Sequence, residues 1–128
     1  MTLTTIILLV LALYMVQIFL QETSRFGFDM RGIVGNRDDP PEMSIVAARL
    51  DRAKNNMLEA LPIFLALALL AMVTDHDSRD VRSAALVFLV ARVVYVPAYL
   101  SGIPMFRSLV WLIGTAGLAM MAWPLVQS

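Results

Sequence analysis

The chain has 128 residues, zero formal net charge and 59% hydrophobic residues, with a mean hydropathy of +0.75. A soluble domain carries about 45–50% apolar residues, so this is the composition of a polytopic membrane protein in one domain, and the balanced charge offers no footprint for a nucleic acid. Without cysteine the chain has no disulfide, no thiolate nucleophile of its own and no cysteine metal site, so any thiol chemistry needs a thiol brought by the substrate; the single histidine, His76, has no neighbours at ligand spacing, so no metal is expected.

The first apolar run, residues 3–20, begins without Lys or Arg and is not followed by a small-x-small cleavage site. It therefore reads as a retained transmembrane helix rather than a cleaved leader. Gln17 is its one strongly polar residue and is expected to hydrogen-bond a neighbouring helix. Residues 21–42 predict a loop, broken by Gly27, Gly32, Gly35 and the pair Pro40-Pro41. Its arginines Arg25, Arg31 and Arg37 are offset by Glu22, Asp29, Asp38 and Asp39. Asp39-Pro40-Pro41-Glu42 then has the form of a helix start, with Asp39 as cap and Pro40 in the first turn.

From about residue 40 to Val73 no glycine intervenes. A helix of that length would reach roughly 50 Å at 1.5 Å per residue, against a hydrocarbon core of about 30 Å. Its first half, with Arg49, Asp51, Arg52 and Lys54, is expected to project beyond the bilayer, leaving residues 57–74 as the second span. Pro62 removes one backbone hydrogen bond there and predicts a kink. Residues 74–82 read as a short polar connection, in which Asp75 and Asp77 are too little for a metal. The third span, residues 83–100, places Arg92, Tyr95 and Tyr99 on one face and carries Pro97. Gly102 is the expected helix stop and Pro104 the next helix start. The fourth span, residues 105–125, has Arg107 near its beginning, Gly114 and Gly117 to permit close helix approach, and Trp111 and Trp123 as interfacial aromatics; Pro124 is expected to end it.

Positive charge sets an expected orientation. The first and third connections share one side and, with the polar start of the second helix, hold Arg25, Arg31, Arg37, Arg49, Arg52, Lys54 and Arg107. The second connection holds Arg79 and Arg82. The positive-inside rule puts the first and third connections in the cytoplasm and both termini on the opposite side. Arg52, Asn56, Glu59, Tyr99 and Arg107 then gather near the cytoplasmic boundary, with Arg92 and Tyr95 one to two turns deeper.

Arg52, Asn56 and Glu59 fall at i, i+4 and i+7 on one helical face. A base, an amide and an acid at the edge of a span are costly without partners. Either they form a polar network joining bundle helices, or they bind a ligand. Two cations (Arg52 and Arg107), the Glu59 carboxylate, the Asn56 amide and the phenols of Tyr95 and Tyr99 would suit a small zwitterion. Arginines would fork to its carboxylates and Glu59 would take its amine. Arg92 would join them from below or be neutralised structurally, by Glu59 or a freed carbonyl.

The pattern Arg52-x-x-x-Asn56-x-x-Glu59-x-x-Pro62-x-Phe64 resembles the signature of the membrane-associated proteins in eicosanoid and glutathione metabolism, the MAPEG family. Arg92-x-x-Tyr95-x-x-x-Tyr99 followed by Arg107 is also similar to it. The resemblance covers most of the chain after Pro40 and points to microsomal glutathione transferase-like members, a bacterial one in particular. It implies an all-α, left-handed, integral membrane four-helix bundle, assembled as a homotrimer. It also implies a glutathione transferase or peroxidase, with glutathione as co-substrate between subunits and a lipophilic small molecule as the second substrate. By that resemblance Arg52, Asn56, Glu59, Tyr95 and Tyr99 would hold glutathione, and Arg107 would stabilise its thiolate. Arg31 is the better first-loop candidate to assist, and Arg92 is a further possible ligand. The chain departs from some members in Ala60, where they carry a tyrosine, in Lys54, and in a longer interval between Pro41 and Arg52. The alternative to an enzyme is a non-catalytic membrane subunit or scaffold using the same bundle. The short loops and absence of cysteine fit a bacterial inner membrane.

Overall fold

The computed structural model describes residues 1–26 and 44–127. The glycines of the first connection, Arg31 and the expected helix start at Asp39-Pro40 all lie outside the described residues. Those described form four helices: α1 (Leu3–Phe26), α2 (Ile45–Val73), α3 (Arg79–Leu100) and α4 (Pro104–Val126). Each is long and apolar enough to cross a membrane, so the all-α bundle expected from the apolar runs is the fold.

Four boundaries differ from the sequence expectation, each for a local reason. α1 runs to Phe26, six residues past Leu20. No glycine or proline stands before Gly27, and the Thr23 hydroxyl donates to the carbonyls of Phe19 and Leu20 at 2.8 and 3.2 Å, so the polar segment continues the helix. α2 begins at Ile45 rather than near residue 40. Ser44 is in extended backbone, and its side chain accepts the Ala47 amide at 3.1 Å. α3 begins at Arg79, so Arg79–Arg82 form its first turn and not a connection. Ser78 caps it by accepting from the Val81 amide at 3.2 Å, with Asp80 at the positive end of the helix dipole. α4 passes through Pro124 to Val126. A proline so close to a helix end has little further helix to disrupt. α2 and α3 likewise run on through Pro62 and Pro97.

The turn between α2 and α3 uses Asp75 at φ +61° and returns the His76 amide to the Ala71 carbonyl at 2.7 Å. The turn between α3 and α4 uses Gly102 at φ +74° and Pro104 in the first turn of α4, as expected. Such short turns force neighbouring helices to run antiparallel. Among the described residues α3 packs most extensively on α4, α2 touches the other three helices, and α1 meets α2 and α3 but not α4.

The closeness of α3 and α4 comes from glycine. An added Cβ at Gly117 would lie 3.1 Å from the Ala84 carbonyl oxygen and the Phe88 amide nitrogen; at Gly114 it would lie 3.4 Å from the Ala91 Cβ. Below this contact the Phe64 and Phe88 rings stack with centroids 4.7 Å apart, within a core that includes Leu3, Ile6, Val10, Met57 and Met121. In lipid the outside is as apolar as the inside, so close packing and interhelical hydrogen bonds, rather than escape from water, hold the helices together. A second, smaller cluster of Ala53, Ala91, Tyr95, Ala98 and Val110, with Tyr99 against it, joins α2, α3 and α4 near the α3–α4 turn. It forms the floor of the polar site.

Candidate functional site

The site is built where α2, α3 and α4 converge. On α2, Asn56 is half-buried while Arg52 and Glu59 are exposed. α3 contributes Arg92 and Tyr95, both buried, and the half-buried Tyr99 one turn further on. α4 delivers Arg107 in its first turn, with the Arg107 amide donating to the Ile103 carbonyl at 3.2 Å.

The rings of Tyr95 and Tyr99 meet edge to face at 5.7 Å. Each carries a guanidinium. Arg92 lies 4.3 Å from the Tyr95 centroid, while Arg107 and Arg52 lie 4.8 and 5.8 Å from that of Tyr99. The tyrosines are thus platforms that hold cations through their ring faces. Arg107 has no ion pair among the described residues and lines a cleft of about 370 Å³ with Asn56, Tyr95, Ser108, Trp111 and Leu112. A second cleft of about 200 Å³ shares Asn56 and Trp111 and is bounded by Glu59, Ala60 and Thr115. A cation therefore opens on one side of Asn56 and a carboxylate on the other.

Arg92 has a partner that sequence spacing did not indicate. Its Nη1 donates to Asn56 Oδ1 at 2.9 Å, so it is joined to neither Glu59 nor a freed backbone carbonyl. Asn56 lies on the α2 face turned to α3, whereas Glu59 is rotated outward. The Arg92 side chain is 3% exposed, and its Nε and Nη2 have no hydrogen-bond partner among the described residues. With Oδ1 engaged below, the Asn56 amide group presents its Nδ2 donors toward the clefts.

All six candidates for the ligand and the thiolate, Arg52, Asn56, Glu59, Tyr95, Tyr99 and Arg107, come to one end of the bundle, with Arg92 beneath them. Arg31 lies outside the described residues. Gln17 is not part of the site. It is buried in α1, and its Oε1 lacks the expected hydrogen-bond partner among the described residues. Two contributors escaped sequence reasoning. Trp111 lines both clefts, and its spacing of four from Arg107 on α4 could have signalled it. Arg49 donates through Nη1 to the Leu100 carbonyl at 3.0 Å, closing the α3–α4 turn against α2; its place three residues before Arg52 was the available sign. No group of three His, Asp or Glu side chains among the described residues is placed to hold a metal ion.

A family model described as MAPEG family matches residues 1–126. No curated protein and no solved structure matches the chain.

Proposed function

The chain belongs to the MAPEG family of integral membrane proteins, and from that premise we propose that it activates the thiol of glutathione and joins it to, or uses it to reduce, a lipophilic electrophile. The observation that carries this reading is Arg107. It faces a cleft, is held over Tyr99 at 4.8 Å, and has no carboxylate partner among the described residues. A scaffold would have little use for a cation kept unneutralised at the membrane edge, because unpaired charge there is costly. A thiolate bound beside it supplies the missing anion.

The chemistry follows from charge placement. A guanidinium within a few ångströms of a thiol favours the anion, lowers the thiol pKa and raises the nucleophile's population at neutral pH. The thiol proton passes to solvent. In conjugation the thiolate sulfur forms a bond to the electrophilic carbon, and the bond broken there gives its electron pair either to a departing leaving group or, on addition to a double bond, to an atom that then takes a proton from solvent. In reduction it attacks the outer hydroperoxide oxygen, the O–O bond breaks, the alkoxide takes a proton and leaves as an alcohol, and the thiol of a second glutathione displaces water from the resulting sulfenic acid to give the disulfide. Glu59 receives the ligand's amine and the Asn56 amide donates to a carbonyl or carboxylate. Arg52 forks to a terminal carboxylate. The lipid around the apolar outer faces of the helices delivers the second substrate.

The proposed assembly is a homotrimer. Arg52 and Glu59 are exposed in the single chain, and a neighbouring copy would enclose them with the ligand. The proposed orientation puts the α3–α4 turn in the cytoplasm, in a bacterial inner membrane, where glutathione is available. The test is glutathione binding to purified protein in detergent, by calorimetry and by the ultraviolet absorbance of bound thiolate. Binding with a thiolate signal is expected. Binding without it would remove the role of Arg107, and no binding would leave a non-catalytic membrane subunit.

A further inference from the structure

Arg49 lies on α2, outside both clefts, yet it touches the segment that fixes Arg107. Its Nη1 donates to the carbonyl of Leu100, the last residue of α3, at 3.0 Å. That carbonyl is one of those a helix end leaves without an intrahelical partner, and it sits at the negative end of the α3 dipole, where a guanidinium is favoured. The Arg49 guanidinium also covers Gly102: a Cβ there would lie 2.9 Å from Nη2, 3.0 Å from Nη1 and 3.1 Å from Cζ. Gly102 is thus required twice, for its φ of +74° and for the room its missing side chain gives to Arg49.

The path from this contact to the site is short and stiff. The Ser101 hydroxyl donates to the Ala98 carbonyl at 2.6 Å and accepts the Ile103 amide at 3.2 Å. The Gly102 amide returns to the Tyr99 carbonyl at 3.3 Å, and the Arg107 amide to the Ile103 carbonyl at 3.2 Å. Every residue from Ala98 to Pro104 is therefore bonded or ring-locked in place. Tyr99 stands before the turn, Arg107 stands after it, and the two meet at 4.8 Å across it. α2 itself is anchored one turn away by the Ser44 cap.

We propose that Arg49 is a positioning residue: by clasping the Leu100 carbonyl and covering Gly102 it sets the α3–α4 turn, and through that turn the place of Arg107 over Tyr99. Its consequence for the thiol rests on the function proposed above; the clasp itself does not. Without the clasp the α3–α4 turn loses its tie to the start of α2, and Arg107 can withdraw from the cleft. If the guanidinium retreats from about 4 to about 6 Å from a bound thiolate, the midpoint of thiol ionisation rises by about one pH unit at an effective dielectric constant near 20.

The test uses the full chain in detergent with 3-fluorotyrosine at position 99, first without any ligand. Arg107→Ala gives the reference displacement of the fluorine resonance. Arg49→Met keeps the length of the stem but not the donor, and is expected to move the resonance in the same direction. Arg49→Lys, which retains a donor able to reach the carbonyl, is expected to return it at least halfway. A resonance unmoved by Arg49→Met, or Met and Lys variants that respond alike, would overturn the proposal. In the presence of glutathione, Arg49→Met should shift thiolate titration alkaline by about one unit. Its binding constant should stay within about threefold, because Arg49 lines neither cleft. A wild-type protein that shows the fluorine responses but forms no thiolate would retain the clasp and defeat the thiol reading, so the two fail separately.

Discussion

The hydrogen bond between Arg92 and Asn56 makes a stringent prediction about how the bundle tolerates its buried cation. In Asn56→Leu the guanidinium loses its one hydrogen-bond acceptor among the described residues. Arg92 is 3% exposed and two of its nitrogens already lack partners, so neither water nor a neighbouring side chain replaces the amide. Stranding a buried charge in this way costs about 3–5 kcal/mol. Arg92→Met removes the charge with the bond and leaves only a half-buried amide oxygen, which can find water, at a cost of about 1 kcal/mol. In the double variant neither group remains to be stranded. The singles should therefore exceed the double by at least about 1.5 kcal/mol. Neutral interhelical bonds in membrane bundles average about 0.6 kcal/mol and reach about 1.7, whereas a bond at 2.9 Å to a charged donor belongs at or above the upper end. The assay is reversible unfolding in mixed micelles with rising anionic detergent, read by circular dichroism. Single-variant losses that add to the double within about 0.5 kcal/mol would show that the two side chains are not coupled.

Three further outcomes are expected. Arg107→Ala should lower the bound-thiolate absorbance at neutral pH by at least about tenfold, one unit or more of thiol pKa, while the oligomer seen by size exclusion stays intact; an unchanged absorbance would end the assigned role. Glu59→Gln should weaken glutathione by about 10–100-fold in calorimetry but leave an analogue without the amine nearly unaffected, since only the charge-assisted bond is lost; equal losses for both ligands would place the amine elsewhere. The two glycines of α4 should part company. Gly117→Ala drives a Cβ to 3.1 Å from immovable α3 backbone, an overpacking cost of about 1–3 kcal/mol that outweighs the roughly 1 kcal/mol gain in helix propensity. Gly114→Ala meets the Ala91 Cβ at 3.4 Å and the Arg92 Cδ at 3.9 Å, both side-chain atoms at ordinary contact distance, and should be neutral or stabilising by up to about 1 kcal/mol. Matching unfolding midpoints for the two variants would contradict this account of the α3–α4 contact.

The class of fold was legible in the amino-acid sequence, and so was the set of polar residues that gathers at one end of the bundle, Trp111 and Arg49 excepted. Four apolar runs of membrane length admit only helices, because a backbone in lipid must satisfy its own hydrogen bonds. Helical spacing alone put Arg52, Asn56 and Glu59 on one face, and Gly102-x-Pro104 announced the α3–α4 turn. Local chemistry that competes with such rules was less legible. The Thr23 hydroxyl and the absence of a breaker carried α1 past its apolar end, and Ser44 and Ser78, ordinary serines in the chain, turned out to be the caps. The pairings came from packing in three dimensions. That Arg92 chooses Asn56 over Glu59, that Arg107 and Arg52 share the Tyr99 ring, and that Arg49 reaches Leu100 fifty-one positions away all depend on how helices rotate about their axes when packed. Sequence periodicity gives the angle between residues on one helix. The angle between helices is set by close packing at Gly114, Gly117 and the Phe64–Phe88 stack, so partners across the bundle follow from contacts that no single helix contains.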